Sequence, residues 1–157
     1  MAIEEGKAAP AFTLNDTDGN KVALKDFRGQ HVVVYFYPKD DTPGCTKQAC
    51  GFRDLKKEYA KLDTVVLGVS PDDEESHQKF VKKYKLPFTL LCDPKKKVME
   101  KYGAWGEKMM YGKKMIGVIR STVWVGPNGK VIKHWRKVPK AADHPQKVIE
   151  AIQAHED

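Results

Sequence analysis

Two apolar runs without polar interruption, Val32-Val33-Val34-Tyr35-Phe36-Tyr37 and Thr64-Val65-Val66-Leu67-Gly68-Val69-Ser70, dominate the chain and predict strands buried on both faces. Between them apolar residues recur at three- and four-residue spacing (Phe52, Leu55, Tyr59, Leu62), which predicts a helix over residues 46–61 with one inward face. Pro71, Asp72 and Asp73 form a helix start, and residues 76–84 supply the helix. Phe88-Thr89-Leu90-Leu91 is a short strand ending at Cys92, and residues 95–102 read as a short helix. Residues 103–117, with four glycines, read as a loop able to fold over a site. Residues 118–125 and 130–135 predict a hairpin around Pro127-Asn128-Gly129. A last helix opens at Asp143 or His144 and ends near His155, with Val148, Ile149 and Ile152 facing in. At the other end, Phe12-Thr13-Leu14 and Val22-Ala23-Leu24 flank an Asp18-Gly19 turn signal.

Strands alternating with helices, then a hairpin and a final helix, predict an α/β fold: a mixed sheet covered on both faces, with an N-terminal β-hairpin. With 157 residues, and no repeat or linker, the expectation is one domain spanning residues 1–157. No apolar run reaches the length of a membrane span, and the first residues lack a leader pattern, so the expected compartment is the cytoplasm, with no membrane partner. The net charge of +7 comes from scattered lysines, with Lys95-Lys96-Lys97 the only run of three. That pattern is a solvated face rather than a nucleic-acid surface, and steering of acidic protein partners or anionic solutes fits it as well.

Three cysteines is an odd, low count, which speaks against a disulfide scaffold and for redox or catalytic use. Cys45 falls where the first buried strand passes through Pro38-Lys39-Asp40-Asp41-Thr42-Pro43-Gly44 into the helix. Unpaired N–H groups and the helix dipole there both favour an anion, as a thiolate requires. The preceding segment is polar, so the thiol is expected near solvent. The alternative is a small buried hydrophobe. Thr42 can hydrogen-bond an oxygen substrate at the sulfur or serve as a helix N-cap. Pro38 can wall the pocket from water or simply end the strand. Arg120 interrupts an apolar strand, where an unpaired guanidinium is costly to bury, although period-2 alternation could turn it outward. Arg53, Lys39 and Lys47 are weaker candidates for the cation beside the sulfur. Arg53 lies roughly 12 Å up a regular helix.

Pro38, Thr42 and Cys45 stand in the Pro-x-x-x-Thr-x-x-Cys pattern of the peroxiredoxins, and Cys45-Thr46-Lys47-Gln48-Ala49-Cys50-Gly51-Phe52-Arg53-Asp54 resembles the peroxiredoxin Q, or bacterioferritin comigratory protein, group. The resemblance covers nearly the whole chain. It implies a thioredoxin-like fold and a thiol peroxidase acting on hydrogen peroxide and alkyl hydroperoxides. It further implies Cys45 as peroxidatic, Thr42 and Arg120 as orienting the peroxide, and Pro38 as shielding the sulfenate. Cys50 is by resemblance the resolving cysteine, although group members differ here, and a buried inert Cys50 is the alternative. On one regular helix Cys45 and Cys50 lie roughly 8–9 Å apart between Cα atoms. Disulfides rarely span more than ~7 Å, so their bond requires the first turns to unwind, with Gly44 and Gly51 easing the change. Thioredoxin or a glutaredoxin-like dithiol protein is the implied reductant, and a monomer the implied state.

Cys92, at the end of an apolar strand, reads as a structural residue. The histidines at 31, 77, 134, 144 and 155 show no ligand spacing, and there is no phosphate loop or dinucleotide fingerprint, so neither a metal nor a cofactor is expected. Two other readings compete. A thioredoxin-like disulfide oxidoreductase without peroxidase activity would prefer Cys-x-x-Cys, against Cys-x-x-x-x-Cys here. A basic nucleic-acid-binding or chaperone-like protein would carry its cysteines incidentally.

Overall fold

The computed structural model describes residues 3–156; residues 1–2 and 157, the ends of the expected domain, lie outside them. Strands β1 (Thr13–Asn15) and β2 (Lys21–Ala23) form the expected N-terminal hairpin, and a 3-10 turn over Leu24–Phe27 follows. Then come β3 (His31–Phe36), α1 (Pro43–Asp54), α2 (Lys56–Lys61), β4 (Thr64–Ser70), α3 (Glu74–Tyr84), β5 (Thr89–Cys92) and α4 (Lys97–Lys101). The chain finishes with β6 (Trp105–Met110), β7 (Lys113–Val118), β8 (Ser121–Val125), β9 (Val131–Trp135) and α5 (His144–Glu156).

Seven strands make one mixed sheet in the order β2-β1-β5-β4-β3-β8-β9. β3, β4 and β5 run parallel because the crossovers between them carry α1, α2 and α3; β8 and β9 add antiparallel to the far side of β3. Alternation along β3 divides the core. Val32, Val34 and Phe36 join Met99 of α4 and Tyr102 just after it on one face, while Val33, Tyr35 and Tyr37 join Phe52, Phe80 and Ile149 from the helices on the other. This is the thioredoxin-like α/β arrangement.

Three expectations change. Residues 103–117 are not a loop: β6 and β7 pair as a separate two-stranded sheet. Tyr111 and Gly112 at its tip both have positive φ (52° and 76°), the signature of a tight primed hairpin turn, but tyrosine is no turn signal. Gly106 faces Gly117 in the register, so two strand positions carry no side chain for the pattern to register. The helix expected over 46–61 starts three residues earlier, at Pro43, and breaks at Leu55 into α1 and α2. The strand expected over 118–125 breaks at Ile119 and Arg120.

Gly68 sits at the centre of the sheet between Tyr35 of β3 and Leu90 of β5. A Cβ there would lie 2.7 Å from Leu90 Cδ2 and 2.8 Å from Tyr35 Oη. Gly68→Ala is therefore expected to destabilise the protein by about 1–3 kcal/mol through overpacking, read as a lowered urea midpoint. An unchanged midpoint would show that the strands can part at no cost.

Candidate active site

The chain leaves β3 at Phe36, bends at half-buried Pro38 and reaches Asp41 in a left-handed conformation (φ 58°). It enters α1 with Thr42 as N-cap residue and Pro43 in the first turn. Pro43 suits that place because its missing N–H removes a donor that would find no helical partner. The Thr46 N–H donates to the Thr42 carbonyl at 2.8 Å and closes the turn. Cys45 thus lies within the first turn, where backbone N–H groups lack intrahelical acceptors. The Thr42 hydroxyl makes no capping bond; it donates to the Lys39 carbonyl at 2.9 Å. That leaves its oxygen lone pairs for another donor.

Cys45 is 1% exposed, not near solvent as expected. The first turn is pressed onto the sheet, and the cysteine joins the apolar cluster that contains Tyr35, Phe52 and Trp124. The sulfur is not sealed in hydrocarbon, however. Arg120 Nη2 donates to Cys45 Sγ at 3.2 Å, and Nη1 donates to Gln48 Oε1 at 2.6 Å. A guanidinium at that distance favours negative charge on the sulfur. Arg120 occupies the break between β7 and β8, so strand alternation does not set its direction; its carbonyl accepts from the Val138 N–H at 3.0 Å. Gly44 leaves room for the guanidinium, since a Cβ there would lie 3.2 Å from Nη2. Arg120 and Gly44 also line a cleft of ≈ 480 Å³ with Lys47, Val138 and Lys140, which brings solvent up to the guanidinium.

Gln48 is a site residue that the sequence reading passed over. It is fully buried, and its position three residues beyond Cys45 puts it on the same helix face, which was the available signal. Its amide nitrogen has no partner among the described residues.

The remaining candidates separate. Cys50 is half-buried on the same helix as Cys45, and all three cysteines are free. Gly51, expected to ease unwinding, also packs closely: a Cβ there would lie 2.8 Å from Pro145 Cγ of α5. Arg53 is turned away, donating to the Tyr84 carbonyl at 2.8 Å and to Asp54 at 3.0 Å. Cys92 is 3% exposed, and burial, with Glu74, Asp40 and Asp73 nearby, pushes its thiol up to about 12. His77, although unpatterned in sequence, converges with Asp40 and Asp72 within 4.8 Å.

Known proteins place this geometry. The AhpC/TSA family model matches residues 6–134. The chain is 47% identical to the peroxiredoxin Bcp of Bacillus subtilis over 157 residues, covering 100% of this chain and 98% of that one. It superimposes with a TM-score of 0.89 on the Xanthomonas campestris bacterioferritin comigratory protein, solved in a study of its alkyl peroxide reduction activity, at 36% identity and covering 98% and 100% of the two chains. A cysteine-to-serine mutant of Xylella fastidiosa PrxQ gives a TM-score of 0.91 at 31% identity, covering 99% and 98%. A strand-to-helix cysteine, an arginine on its sulfur and this likeness along the whole chain have one common explanation: the chain belongs to the AhpC/TSA family, among the Bcp/PrxQ peroxiredoxins.

Proposed function

We propose that this protein reduces hydrogen peroxide and alkyl hydroperoxides with Cys45 as the attacking group, residues 1–157 working as one thioredoxin-like domain. The observation that carries the reading is the 3.2 Å contact between Arg120 Nη2 and Cys45 Sγ in the first turn of α1. The Cys45 thiolate attacks one peroxide oxygen, the O–O bond breaks, and the departing oxygen takes a proton to leave as water or alcohol. Sulfur is oxidised to the sulfenic acid by two electrons. Arg120 and the first-turn N–H groups hold the charge that moves across the oxygens, a task for fixed donors in a site poor in water. Thr42, whose hydroxyl is uncommitted as an acceptor, orients the peroxide, and Pro38 walls the sulfenic acid from solvent.

The Cys50 thiol then attacks the Cys45 sulfenic sulfur and releases water, giving the Cys45–Cys50 disulfide. Both residues lie in α1, so their Cα atoms stand roughly 8–9 Å apart, beyond disulfide reach. Closure therefore takes unwinding of the first turns of α1 while the later part stays docked through Arg53 and the Gly51–Pro145 contact. Thioredoxin or a glutaredoxin-like dithiol protein restores both thiols by exchange. The basic residues Lys47 and Lys140 beside the cleft suit an acidic reductant. The reading includes action in the cytoplasm as a monomer. No helix among the described residues is long and apolar enough to cross a membrane.

Cys45→Ser is expected to abolish peroxide consumption, while Cys50→Ser permits a single turnover but no recycling by thioredoxin; sustained turnover by either variant would contradict the assignment. Mass spectrometry after one equivalent of peroxide should find Cys45 joined to Cys50 and Cys92 free. With its thiol pushed up to about 12, Cys92 should resist alkylation at neutral pH until the protein unfolds, and Cys92→Ser should keep full activity. If thioredoxin docks by charge, its reaction rate should fall as salt rises; a flat dependence argues for apolar docking.

A further inference from the structure

The loop that carries Pro38 and Thr42 is fastened at its middle by a buried polar cluster that the peroxide chemistry leaves unused. Asp40 is 7% exposed and His77, in the first turn of α3, is fully buried. Asp40 Oδ1 accepts from the Tyr37 hydroxyl at 2.6 Å, and Oδ2 accepts from Ser76 Oγ at 2.8 Å and lies 2.7 Å from His77 Nδ1. The other ring nitrogen, Nε2, lies 2.9 Å from the Leu91 carbonyl of β5. A carbonyl only accepts, so Nε2 carries a hydrogen. Nδ1 faces a carboxylate oxygen that already receives a hydroxyl, so this arrangement is complete only with a hydrogen on both ring nitrogens. The Asp40 N–H donates in turn to Asp72 Oδ2 at 2.8 Å, which the Ser70 hydroxyl also holds at 2.7 Å.

The next residue explains why the loop needs a fastening. Asp41 is in the left-handed region (φ 58°), a conformation that glycine adopts more readily than a residue with a side chain. Its carboxylate meets Lys83 Nζ at 2.8 Å and the Tyr84 hydroxyl at 2.9 Å, but this end is exposed, and such contacts contribute little. The buried end therefore holds the loop.

We propose that His77 is a positioning residue: as an imidazolium bridging Asp40 and the Leu91 carbonyl, it holds the 38–42 loop in the peroxide-reactive form and opposes the unwinding that joins Cys45 to Cys50. The inference rests on Cys45 being the proposed nucleophile. The groups facing the ring are Asp40 from the loop, Asp72 from the β4–α3 turn, the Tyr37 phenol just after β3 and the Leu91 carbonyl of β5, with Ser76 on its own helix; Asp73 and Glu74 at the head of α3 and the Cys92 thiol after Leu91 are the further titratable groups near Asp40. Burial of the ring disfavours its charge. The hydrogen bond and charge of Asp40, with the Leu91 carbonyl and Asp72, outweigh that, so its pKa stands above the ordinary histidine value. A raised value means that the fastening is complete below the unfolded-state pKa and is lost as pH rises through the higher folded-state one. The fastening is therefore complete on the acid side of that folded-state value and loosens as pH rises through it.

The test uses the full-length reduced protein. Nitrogen NMR of labelled histidines should show His77 protonated at both ring nitrogens at pH 7; a neutral ring would overturn the proposal. In stopped-flow experiments His77→Gln should slow peroxide attack at Cys45 about tenfold or more, while closure of the Cys45–Cys50 disulfide by diamide, a thiol oxidant, becomes faster. Ser76→Ala, which removes one donor to Asp40 and should fold normally, should move both rates in the same opposed directions by about threefold. Both rates falling together, or neither moving, would reduce His77 to a packing role and overturn the proposal. The diamide rate and the ring signal do not depend on peroxide, so an inactive wild-type protein would sink the peroxidase reading and leave these two readouts to decide the loop.

Discussion

Negative charge on a sulfur removed from water is tolerated only when a fixed donor replaces the lost hydration. Cys45 is almost wholly buried, and the donor facing its sulfur is one guanidinium nitrogen of Arg120 at 3.2 Å. The partners of that guanidinium are fixed as well. Gln48, one turn along α1, takes its other nitrogen, and Val138 anchors its backbone. One long side chain from the break between β7 and β8 thus sets a positive group against a buried sulfur.

The rest of the fold serves to bring those two groups together. β3 delivers the loop and α1 at its C-terminal end, and antiparallel β8, its neighbour in the sheet, begins at the same end immediately after Arg120. Pairing of Phe36 with Ser121 fixes how far the two segments can slide. The aromatic row of Tyr37, Tyr35 and Phe52, stacked at 5.4 and 4.7 Å, supports α1 from beneath. The same helix is proposed to come apart in its first turns once per cycle. Its anchoring is accordingly uneven, with close packing at Gly51 and Phe52 and polar fastenings on the loop ahead of Cys45. Opening the loop then means breaking these few polar contacts, while the packed part of α1 at Gly51 and Phe52 stays in place.

Much of this was legible in the chain because it depends on local pattern. Residues 32–36 of β3 and 65–69 of β4 are apolar without a break, as strands covered on both faces must be, whereas the start of α1 at Pro43 lay three residues ahead of the expected one. Arg120 drew attention as a charge in an apolar run, but its contact with Cys45 spans 75 residues and is set by sheet order. The burial of Cys45 escaped notice for a related reason: the polar residues before it fold away onto α3, so local polarity did not measure exposure. Asp40, Asp72 and His77 are scattered in sequence and meet only because β4 and α3 bring them to the loop. The β6–β7 hairpin was hidden by its composition, since paired glycines and a tyrosine in the turn erase the signals that reveal a hairpin.

The most direct measurement is the second-order rate of the reduced protein with hydrogen peroxide, followed by stopped flow in wild type and Arg120→Met. Loss of the guanidinium should slow the reaction about 10²–10³-fold, as removal of one fixed donor does at other sites of charge development, with Cys45 still the residue oxidised. A variant reacting within about twofold of wild type would mean that the arginine on the sulfur is not what makes it reactive.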